Sequence, residues 1–310
     1  MRFPVLKAFG ATLAYLARHA FDLLKALWLP TALVTALQCY ALPPLFSSLA
    51  SLVALGENPE PSEAAAVLGE MGKWMLILLA GSALLFPMMT VASLAHIVRG
   101  DERRTPFYFQ YGGDELRVLA AYVIFSVMIL LISLVGGLAA AVLAFVIALA
   151  TRQPQETAGG LGEFIVNIAI AWFRLRLSVL YPAAISTRTI GLGVAWTATK
   201  GQVWRLLGYW ILVGVIVLPV GVALLAPFAG DLIALLMRLS EVGADQAAAR
   251  AAIAPILEEG GRLFRLDGPS DVLFAAALFL ATLATTAITN IAAGTAWRYL
   301  TDREDRAAAG

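Results

Sequence analysis

The sequence predicts an all-α integral membrane protein with six transmembrane helices, and three observations carry that expectation. Hydrophobic residues make up 60% of the 310-residue chain and charged residues only 14%, with a mean hydropathy of +0.82. A soluble domain is nearer half apolar and a quarter charged. The apolar residues also fall into six runs long enough to cross a bilayer, and Lys and Arg gather at alternate ends of those runs.

A spanning helix needs roughly 20 mainly apolar residues. Candidates lie near 23–48, 74–98, 116–150, 164–187, 206–230 and 272–299. The third is too long for an untilted crossing, so it tilts or projects beyond the bilayer. Pro87 and Pro219 fall inside the second and fifth, where kinks are expected.

Orientation follows from the cations. Arg2, Lys7, Arg18 and Lys25 precede the first span. Arg99, Arg103, Arg104 and Arg117 surround the second connection, Arg188, Lys200 and Arg205 the fourth, and Arg298, Arg303 and Arg306 the tail. The first loop has no basic residue, the third only Arg152, and the insertion at 239–270 offsets its arginines with Glu241, Asp245, Glu258, Glu259 and Asp267. Both termini are therefore expected in the cytoplasm, with 239–270 as a helical insertion on the opposite face.

Aromatic residues collect at the cytoplasmic ends: Phe107, Tyr108, Phe109 and Tyr111 before the third span, Trp196 and Trp204 before the fifth. Such rings favour the headgroup level. With residues 3–17 they predict an interfacial amphipathic helix ahead of each odd-numbered span. Short matches support a repeat: Asp22 to Leu27 with Asp114 to Leu119, and Gly113 to Ile124 with Gly201 to Leu212. Three repeated helical hairpins, at 1–100, 101–189 and 190–310 of a single transmembrane domain, would account for them.

The stretch from Trp172 to Arg205 holds the candidate site. Arg174 and Arg176 lie inside the fourth span, where each arginine at a helix centre costs about 2.5–3.5 kcal/mol. If that span starts near Leu161, Arg176 lies about 24 Å in and ~6 Å short of the inner boundary, so snorkelling would satisfy it. A second reading stands against it. Asn167, Arg174, Ser178 and Tyr181 are spaced to share one helix face, a polar stripe suited to an anionic group such as a lipid phosphate. Pro182 is expected to break the span. Arg188, Lys200, Trp204 and Arg205 follow as interfacial residues.

Little else points to chemistry. The threonines at 282, 285, 286 and 289 with Asn290 read as helix packing, as do Gly136 and Gly137, and Asp231 comes too late in its span to couple protons at mid-membrane. His19 and His96 belong to no metal-spaced motif, GxSxG and GxxxxGK[ST] are absent, and Cys39 stands alone. The expectation is a protein that is not an enzyme, with no cofactor, no metal and no nucleic-acid partner.

Arg176 to Ala183 (RLSVLYPA) and Gly191 to Leu212 (GLGVAWTATKGQVWRLLGYWIL) resemble a group of bacterial inner-membrane proteins. These are related to the membrane domain that precedes some glycerophosphoryl diester phosphodiesterases. The resemblance implies an all-helical integral domain of about six spans without the catalytic barrel. Residues and resemblance together point to a non-enzymatic inner-membrane module for envelope or lipid-associated functions, with membrane lipids and a membrane or periplasmic protein as partners. A small-molecule or lipid transporter is the alternative.

Overall fold

The structure, a computed structural model, describes residues 2–55, 59–100, 111–151, 155–228, 230, 234, 237 and 246–308. For 147–151, 155–161, 163, 246–252 and 302–308 it describes the backbone alone. The regular structure among the described residues is all helical, with no strand among them. This is the outcome lipid requires, since a spanning backbone must satisfy its own N–H and C=O groups. The helices are α1 (Val5–Ala54), α2 (Pro61–Arg99), α3 (Gly113–Thr151), α4 (Gln155–Arg176), α5 (Leu180–Thr187), α6 (Leu192–Ala198), α7 (Val203–Leu225), α8 (Gln246–Arg262) and α9 (Pro269–Ala308).

Six stretches are long and apolar enough to cross a membrane: Val5–Ala54, Pro61–Arg99, Gly113–Val146, Phe164–Thr187, Val203–Phe228 and Pro269–Thr301. The chain is thus an all-helical, multi-pass membrane protein. Each stretch contains a sequence-derived span or most of it, and the observed helices run further at their ends because amphipathic turns extend them past the apolar runs. Pro87 and Pro219 lie inside continuous helices, whereas the break in α1 falls at His19 (φ −113°, ψ 16°).

That break separates the expected interfacial helix from the first crossing. Phe3, Ala8 and Thr12 are buried on one side of the segment before it, while Leu6 and Leu13 are exposed on the other. Phe3 is held through its backbone: its N–H donates to Gln202 Oε1 (3.0 Å) and its carbonyl accepts from Arg205 Nη1 (3.1 Å). Its ring meets Tyr209 edge-on, with centroids 5.6 Å apart. Tyr209 is fully buried, lies 2.8 Å from Thr12 Oγ1 and donates to Ala292 O (2.9 Å), joining α1, α7 and α9 at one point.

The interfacial helices expected elsewhere have different fates. Residues 101–110, which include Phe107, Tyr108 and Phe109, lie outside the described residues, as does Asp231. Ahead of the fifth crossing stands the seven-residue α6, which carries Trp196, while Trp204 belongs to the first turn of α7 itself. Most of the insertion's described part is one helix, α8, packed on α1, with Phe264 just beyond it stacked on Phe46 at 6.2 Å.

Packing is uneven. α1, α2, α7 and α9 form a close bundle, and the α9 threonines serve it as expected. Thr285 and Thr289 donate to carbonyls of their own helix, and Asn290 Nδ2 donates to Ser93 Oγ of α2 (2.8 Å). α3 and α4 form a separate hairpin, tight because Gly136 admits Val166 and Gly162 admits Ala140; a Cβ would lie 2.9 Å and 2.5 Å from those side chains. Gly137 faces open space. This hairpin meets the bundle mainly where α3 touches α2 and α5, and α4 touches α7 only sparsely. Phe164, Ile165 and Ile168 of α4 and Ile211, Val215 and Leu218 of α7 are exposed.

Candidate functional site

The fourth span is not one helix. α4 ends at Arg176, residues 177–179 form a turn, and the chain restarts as α5 at Leu180. The break expected at Pro182 is thus displaced upstream, for a backbone reason. In a continuous helix proline offers no N–H to the carbonyl four residues back, here Ser178, and its ring presses on it. Ending α4 early puts Pro182 in the first turn of α5, where that N–H would be unpaired anyway.

The turn frees the Arg176 carbonyl. Leu180 N–H donates to Leu177 O instead (3.0 Å), and the buried Thr199 hydroxyl, at the end of α6, lies 2.9 Å from Arg176 O. Two left-handed residues fold α5 onto α6. Arg188 caps α5 with φ 54°, and Gly191 opens α6 with φ +78°. A Cβ on Gly191 would lie 2.7 Å from Ala184 N, so no other residue fits there without displacing α5.

This corner sets Trp196 against Arg176. The guanidinium carbon lies 4.2 Å from the Trp196 ring centroid and 5.9 Å from that of Trp172, and the two indoles meet edge-on at 5.4 Å. Arg176 is only 5% exposed, and its Nε has no hydrogen-bond partner. Trp196 covers its guanidinium, since an indole face attracts a desolvated cation.

Arg174 points away from this pair, because residues two apart on a helix do not share a face. It is exposed and lines a cavity of about 630 Å³ between α4 and the start of α7, together with Trp172, Ser178, Gly201, Trp204 and Trp210. Only α4, the turn after it and residues from Gly201 to Trp210 line this cavity, so it is open on the flank that neither helix covers. Its walls are mostly apolar with a few polar groups, the usual make-up of a ligand site of this size. Ser178 Oγ and Trp210 Nε1 are buried there without partners, and Trp204 is 83% exposed at the rim. α7 brings its N-terminus, the positive end of its dipole, to the same place. Among the described residues no carboxylate is in ion-pair reach of Arg174 or Arg176.

The structure therefore divides the expected polar stripe. Arg174 and Ser178 share the cavity. Asn167 is exposed on the same α4 face, two turns further from the break and beyond the cavity wall. Tyr181 does not belong with them: the turn at 177–179 carries it to α2, where its ring meets Phe86 edge-on at 5.4 Å. Of the interfacial residues, Arg188 and Lys200 are exposed, Trp204 joins the cavity, and Arg205 holds Phe3. The indole pair around Arg176 and the role of Thr199 were missed from sequence. Gly191 and Gly201, read as breaks, are the signals that would have shown the chain doubling back there.

His19 and His96 come together at the α1 break, ring centroids 4.9 Å apart, with Tyr15 hydroxyl bonded to His96 Nδ1. The carboxylate beside them, Asp22 at 3.6 Å from His19, is largely exposed. Among the described residues no group of three His, Cys, Asp or Glu side chains is placed to hold a metal ion. No family model matches the chain, and no curated protein or solved structure is similar to it.

Proposed function

We propose that this chain is a non-enzymatic module of a bacterial inner membrane, with both termini in the cytoplasm, that holds an anionic lipid headgroup where α4 meets α7. One observation carries the reading: Arg174 lines an open cavity, Arg176 is buried beside it under the indoles, and neither has a carboxylate among the described residues. Leaving a buried charge uncompensated is strongly unfavourable. Stacking on two indoles offsets part of it, about 2 kcal/mol at a desolvated site, and Arg174 is left for an anion in the cavity. A phosphate suits the place, since Arg binds it bidentately and a helix N-terminus adds backbone N–H groups. The resemblance of 176–183 and 191–212 to relatives of that phosphodiesterase membrane domain would imply the same class of module.

A transporter would need a path through the protein. Tyr209, Leu206 and Ile291 are fully buried within the α1, α2, α7 and α9 packing, which favours the module instead.

Native mass spectrometry of the detergent-extracted protein, titrated with phosphatidylglycerol and with phosphatidylcholine, tests this. A hydrogen bond to a charged group contributes about 1.5–3 kcal/mol, so Arg174→Ala should lower phosphatidylglycerol retention at least roughly tenfold and leave phosphatidylcholine unchanged. Arg176→Lys, outside the cavity lining, should change retention far less. Equal retention of phosphatidylglycerol by wild type and Arg174→Ala overturns the proposal.

A further inference from the structure

The open α4–α7 cleft contains one polar side chain that the headgroup site does not use. Asn167 lies seven residues before Arg174, hence on the same face of α4 and about 10 Å along the axis from it. The cavity between them is walled on that face by Ile168 and Ala171. Asn167 is exposed, and no described residue hydrogen-bonds its amide. Next to it on α4 stand the exposed Phe164, Ile165 and Ile168, and Ile211 and Val215 of α7 are exposed as well. An amide in such surroundings has no described residue to pair with, and leaving it unpaired in hydrocarbon is unfavourable. Whatever satisfies it comes from the membrane.

Membrane hydrocarbon offers no hydrogen-bonding groups. The deepest acceptors that a bilayer lipid carries are the ester carbonyls joining its chains to glycerol. We infer that Asn167 Nδ2 donates to an ester carbonyl of the same lipid whose headgroup Arg174 holds, so that the ligand is an ester-linked, two-chain anionic glycerophospholipid with its chains along the α4–α7 cleft. The inference rests on the headgroup reading and adds a second point of attachment. It places the phosphate and the ester on one α4 face in the order a lipid presents them, headgroup toward the chain break and chains toward mid-membrane. Helical side chains lean toward the helix N-terminus, and the long arginine reaches further that way than the short asparagine, which shortens the span the lipid bridges. The cleft stays open because the hairpin of α3 and α4 is tight within itself and touches α7 only near the break.

The test compares diacyl phosphatidylglycerol with its diether analogue, identical in headgroup and chains, by native mass spectrometry of the full-length protein. Wild type should retain the diacyl lipid about fivefold better, the worth of one hydrogen bond. Asn167→Leu, at an exposed position where folding does not depend on the amide, should equalise the two by lowering diacyl retention to the diether level. Asn167→Gln should keep a partial preference. Equal retention of both lipids by wild type, or an undiminished preference in Asn167→Leu, overturns the inference while leaving the headgroup site standing. Retention of neither lipid above phosphatidylcholine removes the headgroup reading itself. A wild-type dimer by light scattering that Asn167→Leu turns into a monomer would show the amide paired with a second copy, and the inference falls.

Discussion

Two corners at the same end of the molecule handle their arginines in opposite ways. Where α2 hands over to α3, Arg99 and Arg117 both reach the Asp114 carboxylate, Arg117 at 2.9 Å, and Glu115 Oε2 accepts from Gly112 N–H (2.8 Å). Acidic residues in the first turn of α3 also suit its dipole. Where α4 hands over to α7, Arg174 and Arg176 have indoles and a cavity but no described carboxylate. The two asparagines within the spans repeat the contrast, since Asn290 is bonded to Ser93 and Asn167 to no described residue. One corner pairs its arginines with a carboxylate of the protein, and the other does not. The proposed headgroup site rests on that difference.

The contrast can be broken most forcefully at Asp114. Asp114→Ala leaves two cations without their shared carboxylate, one of them largely buried, and should cost about 3 kcal/mol, seen as a clear drop in thermal denaturation temperature in detergent. Arg174→Ala in the same lipid-free assay should change it little, and an equal drop would mean that Arg174 is structural. Gly191→Ala comes next. Its positive φ and the 2.7 Å approach to Ala184 N predict a loss of about 2 kcal/mol, with a change in tryptophan fluorescence as Trp196 leaves Arg176. Unaltered emission would show that the α5–α6 corner tolerates a side chain. The smallest effect separates the asparagines. Asn290→Leu should lose about 1 kcal/mol of stability, whereas Asn167→Leu in lipid-free detergent should lose none. Matching losses would erase the distinction between the two regions.

Much of the site could be read from the residues because it lies in one continuous stretch. Arg174, Arg176, Ser178 and Trp204 stand out by being polar or amphipathic in an apolar context, and that follows from transfer energies alone. Tyr181 was misplaced because face assignment assumes an unbroken helix. The early end forced by Pro182 rotates everything after Arg176 relative to everything before it. Trp196 and Trp210 could not be told from ordinary interfacial rings, because a ring that stacks on a buried guanidinium and one that lies among headgroups have the same sequence environment. Asn167 stood in the stripe with Arg174, but nothing in the sequence distinguishes a paired asparagine from an unpaired one.

The sequence by itself determined the helical class, the six apolar crossings and the end of each helix at which arginines collect, because these depend on the cost of taking single residues and backbone groups out of water. Tertiary structure alone decided which helices close on each other and which stay apart. That depends on pairs: Gly136 against Val166, Tyr209 between Thr12 and Ala292, Asn290 on Ser93. Whether an arginine or an amide is left without a partner is likewise a property of its neighbours in space, and no local pattern along the chain encodes it.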